Sequence, residues 1–318
     1  MDYKIAVIKG DGVGPEITNE GIKILNKMGE KYNHNFKFTQ VLGGGVAIDK
    51  MGNPLPKETL EVCKKSDEVF LGAVGGPKWD NIEPSIRPEK GLLALRRGLN
   101  IFVNLRQVTM YESIKESSPL KSDIVKKGID FIVVRELTGG IYFGERKTEV
   151  IENVEVAYDV EKYDENEIRR IGKKAFESAR TRNKKLTCVD KANVLDTSKL
   201  WRKVMNELSK EYKGVELNFM YVDNASMQLI KNPSQFDTIV INNIFGDIIS
   251  DEASMLTGSI GMLPSASLRD DKFGMYEPIH GSAPDIACKN IINPIGTILS
   301  VAMMLRYSFT LEKEAKEI

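Results

Sequence analysis

Two aspartates one helical turn apart carry the clearest sign of chemistry in this sequence. Asp247 and Asp251 follow the apolar run 236–241, which has the character of a buried strand. Carboxylates four residues apart lie on the same face of a helix. The start of a helix after a strand overlooks the sheet edge where open α/β proteins bind ligands. Such oxygen ligands suit Mg²⁺ or Mn²⁺. The alternative is that Asp247 caps the helix and favours its positive end.

Three arginines stand where they could bind an anionic substrate. Arg96 falls in a predicted helix, whereas Arg106 and Arg135 stand at the ends of predicted strands. Arginines that project from strand ends into one cleft bind carboxylates in a planar, bidentate geometry. Any one of them, taken singly, is better explained by a surface salt bridge. Two of them at strand ends favour a small polyanionic substrate.

Tyr142 and Lys191 are candidates for proton transfer. Tyr142 follows a glycine pair that frees the backbone, and Lys191 follows a predicted strand. A lysine in an enclosed site can have its pKa lowered into the range of a general base, and a tyrosine can then donate the proton. Taken alone, Tyr142 is better explained by core packing and Lys191 by a surface charge.

Two turn-rich segments bear on a nucleotide cofactor. The segment 10–14, Gly-Asp-Gly-Val-Gly, stands between a predicted strand and helix but lacks the third glycine of a dinucleotide fingerprint. We therefore predict a tight turn with close helix packing, not a standard Rossmann site. The loop 277–285 could wrap an adenosine, with Asp285 accepting hydrogen bonds from the ribose and favouring NAD over NADP. An ordinary surface turn is the alternative.

Composition limits the classes of function. The 318 residues carry 45 Lys+Arg against 45 Asp+Glu, so no net charge favours nucleic acid or a membrane surface. The three cysteines are widely spaced, which indicates thiols in a reducing compartment and no disulfide framework. Only two histidines occur, which excludes a histidine-rich metal site. The first nine residues carry charges where a signal peptide is apolar, so we expect a cytoplasmic protein.

Alternating strands and helices must position these residues. The alternation predicts an α/β fold, and the length predicts about two domains. The segment 139–163 breaks the pattern with β-branched and aromatic residues, which indicates a hairpin or arm that pairs with a partner chain. The segment 291–305 predicts a core helix, since it is too short and polar to span a bilayer. Further strands are predicted at 3–8, 36–41, 68–73, 100–108, 129–135, 186–189 and 236–241, and helices at 15–32, 56–65, 89–99, 165–182 and 198–212.

These segments together resemble one family over nearly the whole chain. From Lys4 to about Ala315 the sequence is similar to the metal-dependent β-decarboxylating dehydrogenases of isocitrate and isopropylmalate, above all to those that use 3-isopropylmalate. The motifs that carry the resemblance are GDGVGPE at 10–16, LGAVGGPKWD at 71–80, RPEKGLLALR at 87–96, VRELTGGIYFGE at 134–145, DKANVL at 190–195, FGDIISD at 245–251 and HGSAPD at 280–285.

The resemblance implies a doubly wound, two-domain α/β fold of the isopropylmalate-dehydrogenase type, which is not a standard Rossmann domain. The cofactor-side domain would comprise residues 1–101 and 258–318. The dimerisation and substrate-side domain would comprise residues 102–257, with an arm near 139–163. Relatives are expected to continue past Ile318, so the resemblance also implies a chain truncated inside its final helix.

The implied activity is oxidative decarboxylation of 3-isopropylmalate to 2-oxoisocaproate with reduction of NAD, a step of leucine biosynthesis. A homodimer would act on this 2-hydroxy dicarboxylate, and Mg²⁺ or Mn²⁺ would serve as a Lewis acid for the enolate. D-malate, tartrate and homoisocitrate dehydrogenases of the same family remain alternatives. A truncated, catalytically silent NAD-binding homologue is another.

The family's functional positions map onto this sequence residue by residue. Tyr142 would protonate the carbon left after CO₂ departs, and Lys191 of the second subunit would help to remove the hydroxyl proton. The apolar pair Leu92 and Leu93 favours an alkyl group, because a hydrophobic pocket discriminates by roughly 1–3 kcal/mol per methylene. The other implied contacts are Arg96, Arg106, Arg135 and Asp223 with the malate moiety; Glu89, Leu92, Leu93 and Val194 with the isopropyl group; His280, Gly281, Ser282, Ala283, Asp285 and Asn293 with NAD; and Asp247, Asp251 and the second subunit's Asp223 with the metal.

Overall fold

Strands and helices alternate along the whole chain, which a computed structural model describes from residue 1 to residue 318. The strands are β1 (Asp2–Gly10), β2 (Asn35–Val41), β3 (Glu68–Ala73), β4 (Val103–Thr109), β5 (Asp130–Glu136), β6 (Arg146–Ile151), β7 (Val154–Asp159), β8 (Lys185–Asp190), β9 (Glu216–Tyr221), β10 (Thr238–Ile241), β11 (Pro264–Leu268) and β12 (Gly274–Pro278). The α-helices are α1 (Gly14–Tyr32), α2 (Gly45–Met51), α3 (Lys57–Lys65), α4 (Pro88–Gly98), α5 (Ser122–Val125), α6 (Glu165–Thr181), α7 (Asp196–Ser209), α8 (Val222–Lys231), α9 (Asn243–Met255), α10 (Ile295–Tyr307) and α11 (Glu312–Glu317). None of these helices combines the length and apolar character needed to cross a bilayer.

The chain divides into two compact units. The first comprises Met1–Phe102 with Ser259–Ile318, and the second comprises Val103–Gly258. The chain enters the second unit at β4 and leaves it just after α9, so the first unit is discontinuous in sequence.

The first unit is organised around a mostly parallel set of strands in the order β2-β1-β3-β12-β11. β1 runs parallel to β2 and β3, β12 runs parallel to β3, and β11 is antiparallel to β12. Residues 5–8 of β1 are buried without interruption, as expected for a parallel strand covered on both faces. α1 packs against β3 and α10. Gly21 permits this close packing, because a Cβ there would lie 2.4 Å from the ring of Phe70.

The second unit has the strand order β4-β5-β10-β8-β9, with β4 antiparallel to β5 and all other neighbours parallel. The carboxyl ends of β5, β10 and β8 therefore meet at one edge of the sheet. Arg135 is the penultimate residue of β5, Asn242 directly follows β10, and Lys191 directly follows β8. This edge collects residues from three distant stretches of sequence at the position where open α/β sheets bind ligands.

The predicted arm is a two-stranded antiparallel hairpin formed by β6 and β7. Apolar side chains of both strands are exposed, among them Val150 at 70% and Val154 at 62%. An isolated two-stranded hairpin is only marginally stable in water, so we expect another protein surface to cover these apolar residues.

The predicted fold class is confirmed, and each predicted strand or helix overlaps an observed one. The strand predicted at 100–108 begins only at Val103, and the one at 236–241 begins at Thr238. The segment 291–305 is the core helix α10, which starts at Ile295. β9, β11, β12 and the four helices α2, α5, α8 and α11 lie outside the predictions. β11 and β12 contain proline, serine and glycine, which are weak strand formers, so their pairing comes from tertiary context.

Candidate active site

Helix α9 carries both predicted carboxylates of the second unit. Its N-cap is Asn242, whose side-chain oxygen accepts the backbone N–H of Phe245 at 2.9 Å. Asp247 lies beyond this first turn, so the alternative that Asp247 caps the helix is wrong. Gly246 keeps the helix close to β5, because a Cβ there would lie 2.7 Å from Cγ of Arg135.

Arg106 and Arg135 converge on the carboxylates of α9. Arg135 Nη1 donates to Asp247 Oδ1 at 2.5 Å, and Arg106 Nη2 lies 3.4 Å from the same oxygen. Arg106 Nη1 also donates to Asp251 Oδ1 at 3.2 Å. Both arginines are buried, whereas the two aspartates are open to solvent on one side. The arrangement places fixed cations beneath accessible carboxylates.

The predicted position of Arg106 at a strand end is wrong. β4 extends from Val103 to Thr109, so Arg106 lies in the middle of the strand. The antiparallel register explains how it still reaches the site: Asn104 pairs with Arg135, and Arg106 with Val133. β4 thus runs away from the edge at which β5 ends, and Arg106 reaches that edge through the length of its side chain.

Tyr142 contacts the same group. It lies in a short 3-10 turn after β5, in which Gly140 has a positive φ of 70°. The phenol donates to Asp247 Oδ2 at 3.0 Å, and the guanidinium of Arg135 lies 5.9 Å from the ring centre. Burial, and then the charge of Asp247, raise the pKa of Tyr142. The phenol is therefore protonated at neutral pH and able to donate, and core packing alone does not explain its position.

Lys191 and Asp223 form an ion pair. Lys191 follows β8 and Asp223 lies in the first turn of α8, with Nζ 3.0 Å from Oδ2. The hydrogen bond from Lys191 lowers the pKa of Asp223. Asp190, the residue before the lysine, is buried and accepts two hydrogen bonds from Arg202 at 2.7 and 3.0 Å. The backbone that carries Lys191 is therefore fixed, unlike that of an isolated surface charge. Val194, further along this segment, is exposed.

The chain by itself offers two carboxylates for a divalent cation. No three acidic, histidine or cysteine side chains come together as a metal-binding cluster. Asp247 and Asp251 lie on one face of α9, while Asp223 is paired with Lys191. Mg²⁺ keeps several waters and is commonly held by one or two carboxylates plus substrate oxygens. The donor set on α9 therefore fits Mg²⁺ or Mn²⁺.

Arg96 lies in α4 of the first unit. Its Nη2 donates to Glu277 Oε1 at 3.1 Å, and its Nε is buried without a hydrogen-bond partner. Both side chains are about nine-tenths buried, so the pair is not the surface salt bridge considered above. An unsatisfied buried N–H is costly, so an anionic ligand that accepts hydrogen bonds from this guanidinium would stabilise it.

The remaining predicted residues of α4 differ in their surroundings. Glu89 is exposed in the first turn. Leu92 packs partly against a core cluster that includes Leu71 and Leu95, whereas Leu93 is half-buried. Core packing therefore accounts for part of the apolar character at Leu92.

The segment 10–16 holds neighbouring loops of the first unit in place. The buried carboxylate of Asp11 accepts the backbone N–H groups of Gly45 and Val46 at the start of α2 and of Gly75 in a loop, at 2.7–2.8 Å. Val13 donates its N–H to the carbonyl of Ser282 at 2.8 Å. Gly12 is required here, because it has a φ of 55° and a Cβ would lie 2.0 Å from that carbonyl oxygen. Gly12 therefore serves the packing of this turn against the loop at Ser282, whereas the sequence predicted close packing of the helix.

Glu16 extends this support to the loop that follows Asp285. Its two carboxylate oxygens accept the backbone N–H groups of Cys288 at 2.5 Å and Asn290 at 3.2 Å. Both residues have positive φ values, 61° and 54°. The carboxylate thus stabilises a left-handed loop conformation, which is uncommon for cysteine and more readily adopted by asparagine.

The loop predicted to bind NAD has groups left over for a ligand. His280 is buried and its Nε2 has no hydrogen-bond partner. Burial lowers the pKa of His280, so the imidazole is neutral at neutral pH. Gly281 and Asp285 are exposed, and no atom lies within 4 Å of a Cβ position at Gly281. A neutral imidazole and an open carboxylate fit the hydroxyl groups of an adenosine. Asn293 is different, because its Oδ1 already accepts the N–H of Ile295.

Three residues at these sites lie outside the sequence predictions. Asn104 and Asn243 are buried and hydrogen-bonded to Arg106 and Arg135, and Glu16 fixes the loop described above. A signal exists for Asn104, because residues two apart on a strand share a face. Asn243 and Glu16 give no comparable local signal, since their partners are distant in sequence.

Comparisons with known proteins agree with this geometry. The family model described as isocitrate/isopropylmalate dehydrogenase matches residues 4–318. The chain belongs to the isocitrate/isopropylmalate dehydrogenase family. Relatives named 3-isopropylmalate dehydrogenase from Clostridium acetobutylicum and Clostridium pasteurianum are 60% and 59% identical over 317 residues. Each alignment covers 100% of this chain and 89% of the relative.

Solved structures of the isocitrate/isopropylmalate dehydrogenase family share the fold. Isocitrate dehydrogenase from Methylococcus capsulatus is 32% identical with a TM-score of 0.87, covering 99% of this chain and 88% of that one. The apo form of a β-decarboxylating dehydrogenase from Thermococcus kodakarensis is 36% identical with a TM-score of 0.77, covering 96% and 83%. The family resemblance stated from the motifs is confirmed, and the chain is a dehydrogenase of this family.

Proposed function

We propose that this dehydrogenase oxidatively decarboxylates 3-isopropylmalate to 2-oxoisocaproate with reduction of NAD, a step of leucine biosynthesis. The observation that carries the proposal is the convergence of Arg106, Arg135 and Tyr142 on Asp247. Identity of 54–60% to relatives named 3-isopropylmalate dehydrogenase supports the choice of substrate.

The substrate is a dicarboxylate, and the arginines supply its binding charge. Arg106 and Arg135 are buried and fixed, so their guanidinium groups are oriented before the ligand arrives. We propose that these two bind a carboxylate of the malate moiety, and that Arg96 is an anion-binding residue of the first unit. Bidentate arginine–carboxylate pairs combine charge with planar geometry, which holds the substrate in one orientation for reaction.

Two groups that the protein would bind supply the redox and Lewis-acid chemistry. When bound, NAD would supply the hydride acceptor and a divalent cation would supply a Lewis acid for the substrate oxygen. We propose that Asp247 and Asp251 hold the cation, with Asp223 of a second subunit as a further ligand. His280, Asp285 and the backbone at 281–283 would hold the adenosine of NAD.

Lys191 and Tyr142 would move the protons. Hydride departure from the substrate carbon requires loss of the hydroxyl proton, and we assign its acceptance to Lys191 of the second subunit. Loss of CO₂ then leaves an electron pair on the neighbouring carbon, which the phenol of Tyr142 protonates. The raised pKa of Tyr142 suits a donor, because the phenol holds its proton until that carbon becomes basic.

A homodimer is supported by exposed apolar surface on the second unit. α8 exposes Met227 and Ile230, and α9 exposes Ile248 and Met255, with the two helices in contact. The hairpin of β6 and β7 is likewise uncovered. Exposed apolar patches of this kind mark protein interaction sites. Since α8 also begins with Asp223, a second copy seated on α8 and α9 would bring its own Lys191–Asp223 pair to this surface.

A second candidate is a D-malate, tartrate or homoisocitrate dehydrogenase of the same chemistry. The packing of Leu92 against the core favours this alternative, because a core role needs no alkyl substrate. Leu93 and the exposed Val194 remain the residues proposed for the isopropyl group.

The test is NADH formation by the purified chain with Mg²⁺ or Mn²⁺, offered 3-isopropylmalate, D-malate and isocitrate in parallel. We expect a preference for 3-isopropylmalate that is abolished by a chelator and by Lys191→Met. Lys199→Met is the matched control, because Lys199 is exposed and pairs only with its helical neighbour Asp196. Preference for D-malate would move the assignment to the second candidate. Absence of turnover from a folded dimer with all three acids would refute the proposed chemistry.

A further inference from the structure

The two arginines beneath α9 are each held by a buried asparagine. Arg106 Nε donates to Asn104 Oδ1 at 2.9 Å. Arg135 Nε and Nη2 donate to Asn243 Oδ1 at 3.2 and 2.8 Å. The two asparagines come from β4 and from the start of α9, yet each presents an amide oxygen to the Nε side of a guanidinium.

Two half-buried arginines of the second unit, Arg182 and Arg202, donate to a buried aspartate. Arg202 donates twice to the carboxylate of Asp190, at 2.7 and 3.0 Å. Arg182 donates to the carboxylate of Asp237 at 3.0 Å. The charge of each of these two arginines is thus balanced by a buried aspartate, the usual way to remove the cost of a buried charge.

The amide oxygens of Asn104 and Asn243 act differently from the carboxylates of these aspartates. They satisfy N–H donors that would otherwise be buried without partners, but they add no negative charge. The charged partners of Arg106 and Arg135 in the site are Asp247 and Asp251, and these are the residues proposed to hold a divalent cation. Once those carboxylates face a cation, the guanidinium charges are directed at a substrate anion.

We propose that Asn104 and Asn243 are positioning residues that orient Arg106 and Arg135 without neutralising them, so that both full charges are available to the substrate's carboxylates. The inference rests on the proposed function and deepens it. A preorganised charge in a site shielded from water is worth more than one that must reorient or shed a counter-ion. The identity of these residues as amides, not their size, is therefore the determinant of substrate affinity.

Asn243 has an additional connection to the proton donor. Its Nδ2 donates to the carbonyl of Gly139 at 3.0 Å, and its backbone N–H donates to the phenol of Tyr163 at 2.9 Å. Gly139 begins the turn that carries Tyr142. One side chain thus fixes both the arginine and the segment that bears the tyrosine.

The test uses Asn104→Asp, which preserves the shape and the acceptor oxygen but adds a charge. We expect KM for the hydroxy acid to rise roughly tenfold or more, since each tenfold corresponds to about 1.4 kcal/mol of lost charge attraction, with kcat changed much less. We expect the melting temperature to stay level or rise, because a buried arginine gains a carboxylate partner. Asn218→Asp on β9 is the control, because Asn218 is exposed and distant in sequence from either arginine.

A rise in KM without a fall in the melting temperature distinguishes this role from a merely structural one. An Asn104→Asp variant with wild-type KM would overturn the inference, since a structural hydrogen bond survives that substitution. If Asn104→Asp does not fold, Asn243→Asp serves instead, with an expected rise in KM and, through loss of the bond to Gly139, a fall in kcat. Unchanged KM in that variant would equally overturn it. Wild-type protein without turnover, and without thermal stabilisation by 3-isopropylmalate, would instead refute the proposed function on which the inference rests.

Discussion

Glu68 offers a sharp test of the electrostatics of the first unit. It is the first residue of β3 and is 2% exposed. Its Oε2 accepts the backbone N–H of Gly274 at 2.6 Å, and the hydroxyl of Ser308 hydrogen-bonds to its carboxyl group. Burial outweighs these bonds and raises the pKa of Glu68 from 4.5 to about 9. The folded protein therefore holds this proton at neutral pH, whereas the unfolded chain releases it.

The sign of the pH dependence follows from this proton balance. Above the unfolded pKa the native state binds one more proton than the unfolded state, so the free energy of unfolding falls as pH rises. The contribution is fully present below about pH 4.5 and is lost progressively up to about pH 9. The slope is about 1.4 kcal/mol per pH unit for one proton. Between about pH 6 and pH 8, Glu68 should therefore remove about 3 kcal/mol of stability.

Glu68→Gln isolates this contribution. Glutamine resembles the protonated acid: its oxygen can accept from Gly274 and its NH₂ can donate to Ser308. We expect the variant to match the wild type at about pH 5 and to exceed it by about 4 kcal/mol at about pH 8. Urea denaturation followed by tryptophan fluorescence at several pH values measures the difference. Glu61→Gln is the control, because Glu61 is half-exposed and pairs with Lys64 on the same helix. A wild-type–variant difference independent of pH would show that Glu68 is ionised in the fold and would refute the reasoning.

Three further outcomes are expected. Glu16→Gln leaves one acceptor oxygen where two loop N–H groups now bind, so it should raise KM for NAD several-fold at saturating hydroxy acid with kcat retained. The control variant Glu20→Gln, one turn further along α1, should leave KM and kcat unchanged. Equal KM values for the two variants would contradict the role of Glu16 in the loop. Tyr142→Phe should lower kcat roughly 10²–10⁴-fold, as loss of a positioned proton donor does, and a residual rate near wild type in steady-state assays would remove the tyrosine from the proton transfer. Met227→Glu should shift the species seen by light scattering from dimer to monomer and reduce turnover, and an unchanged molar mass would place the interface elsewhere.

Much of the fold could be read from the sequence because its signals are local. Continuous apolar runs such as residues 5–8 and 238–241 predict buried strands, and both are strands. The spacing of Asp247 and Asp251 predicts one helical face, and both lie on α9. The long motifs identified the family, which the comparisons confirm.

Parts of the fold with weak local signals could not be predicted. β11 and β12 are rich in weak strand formers, so their strand conformation depends on pairing with a neighbouring strand. Arg106 reaches the sheet edge from mid-strand only because β4 is antiparallel to β5. Neither the direction of a strand nor its partner is encoded in the residues of that strand alone.

The sequence by itself determined the residue types available for chemistry, their helical or extended periodicity and the family to which the chain belongs. Only the tertiary structure decided how those residues are supported. Arg135 and Asn243 are 108 residues apart, and the carboxylate of Glu16 meets backbone groups more than 270 residues away. The physical reason is that a buried hydrogen bond is specified by two groups whose distance in space depends on the packing of every element between them. Local patterns therefore reveal the arginines and aspartates of the site, whereas supporting residues such as Asn243 and Glu16 become visible only after the elements are packed.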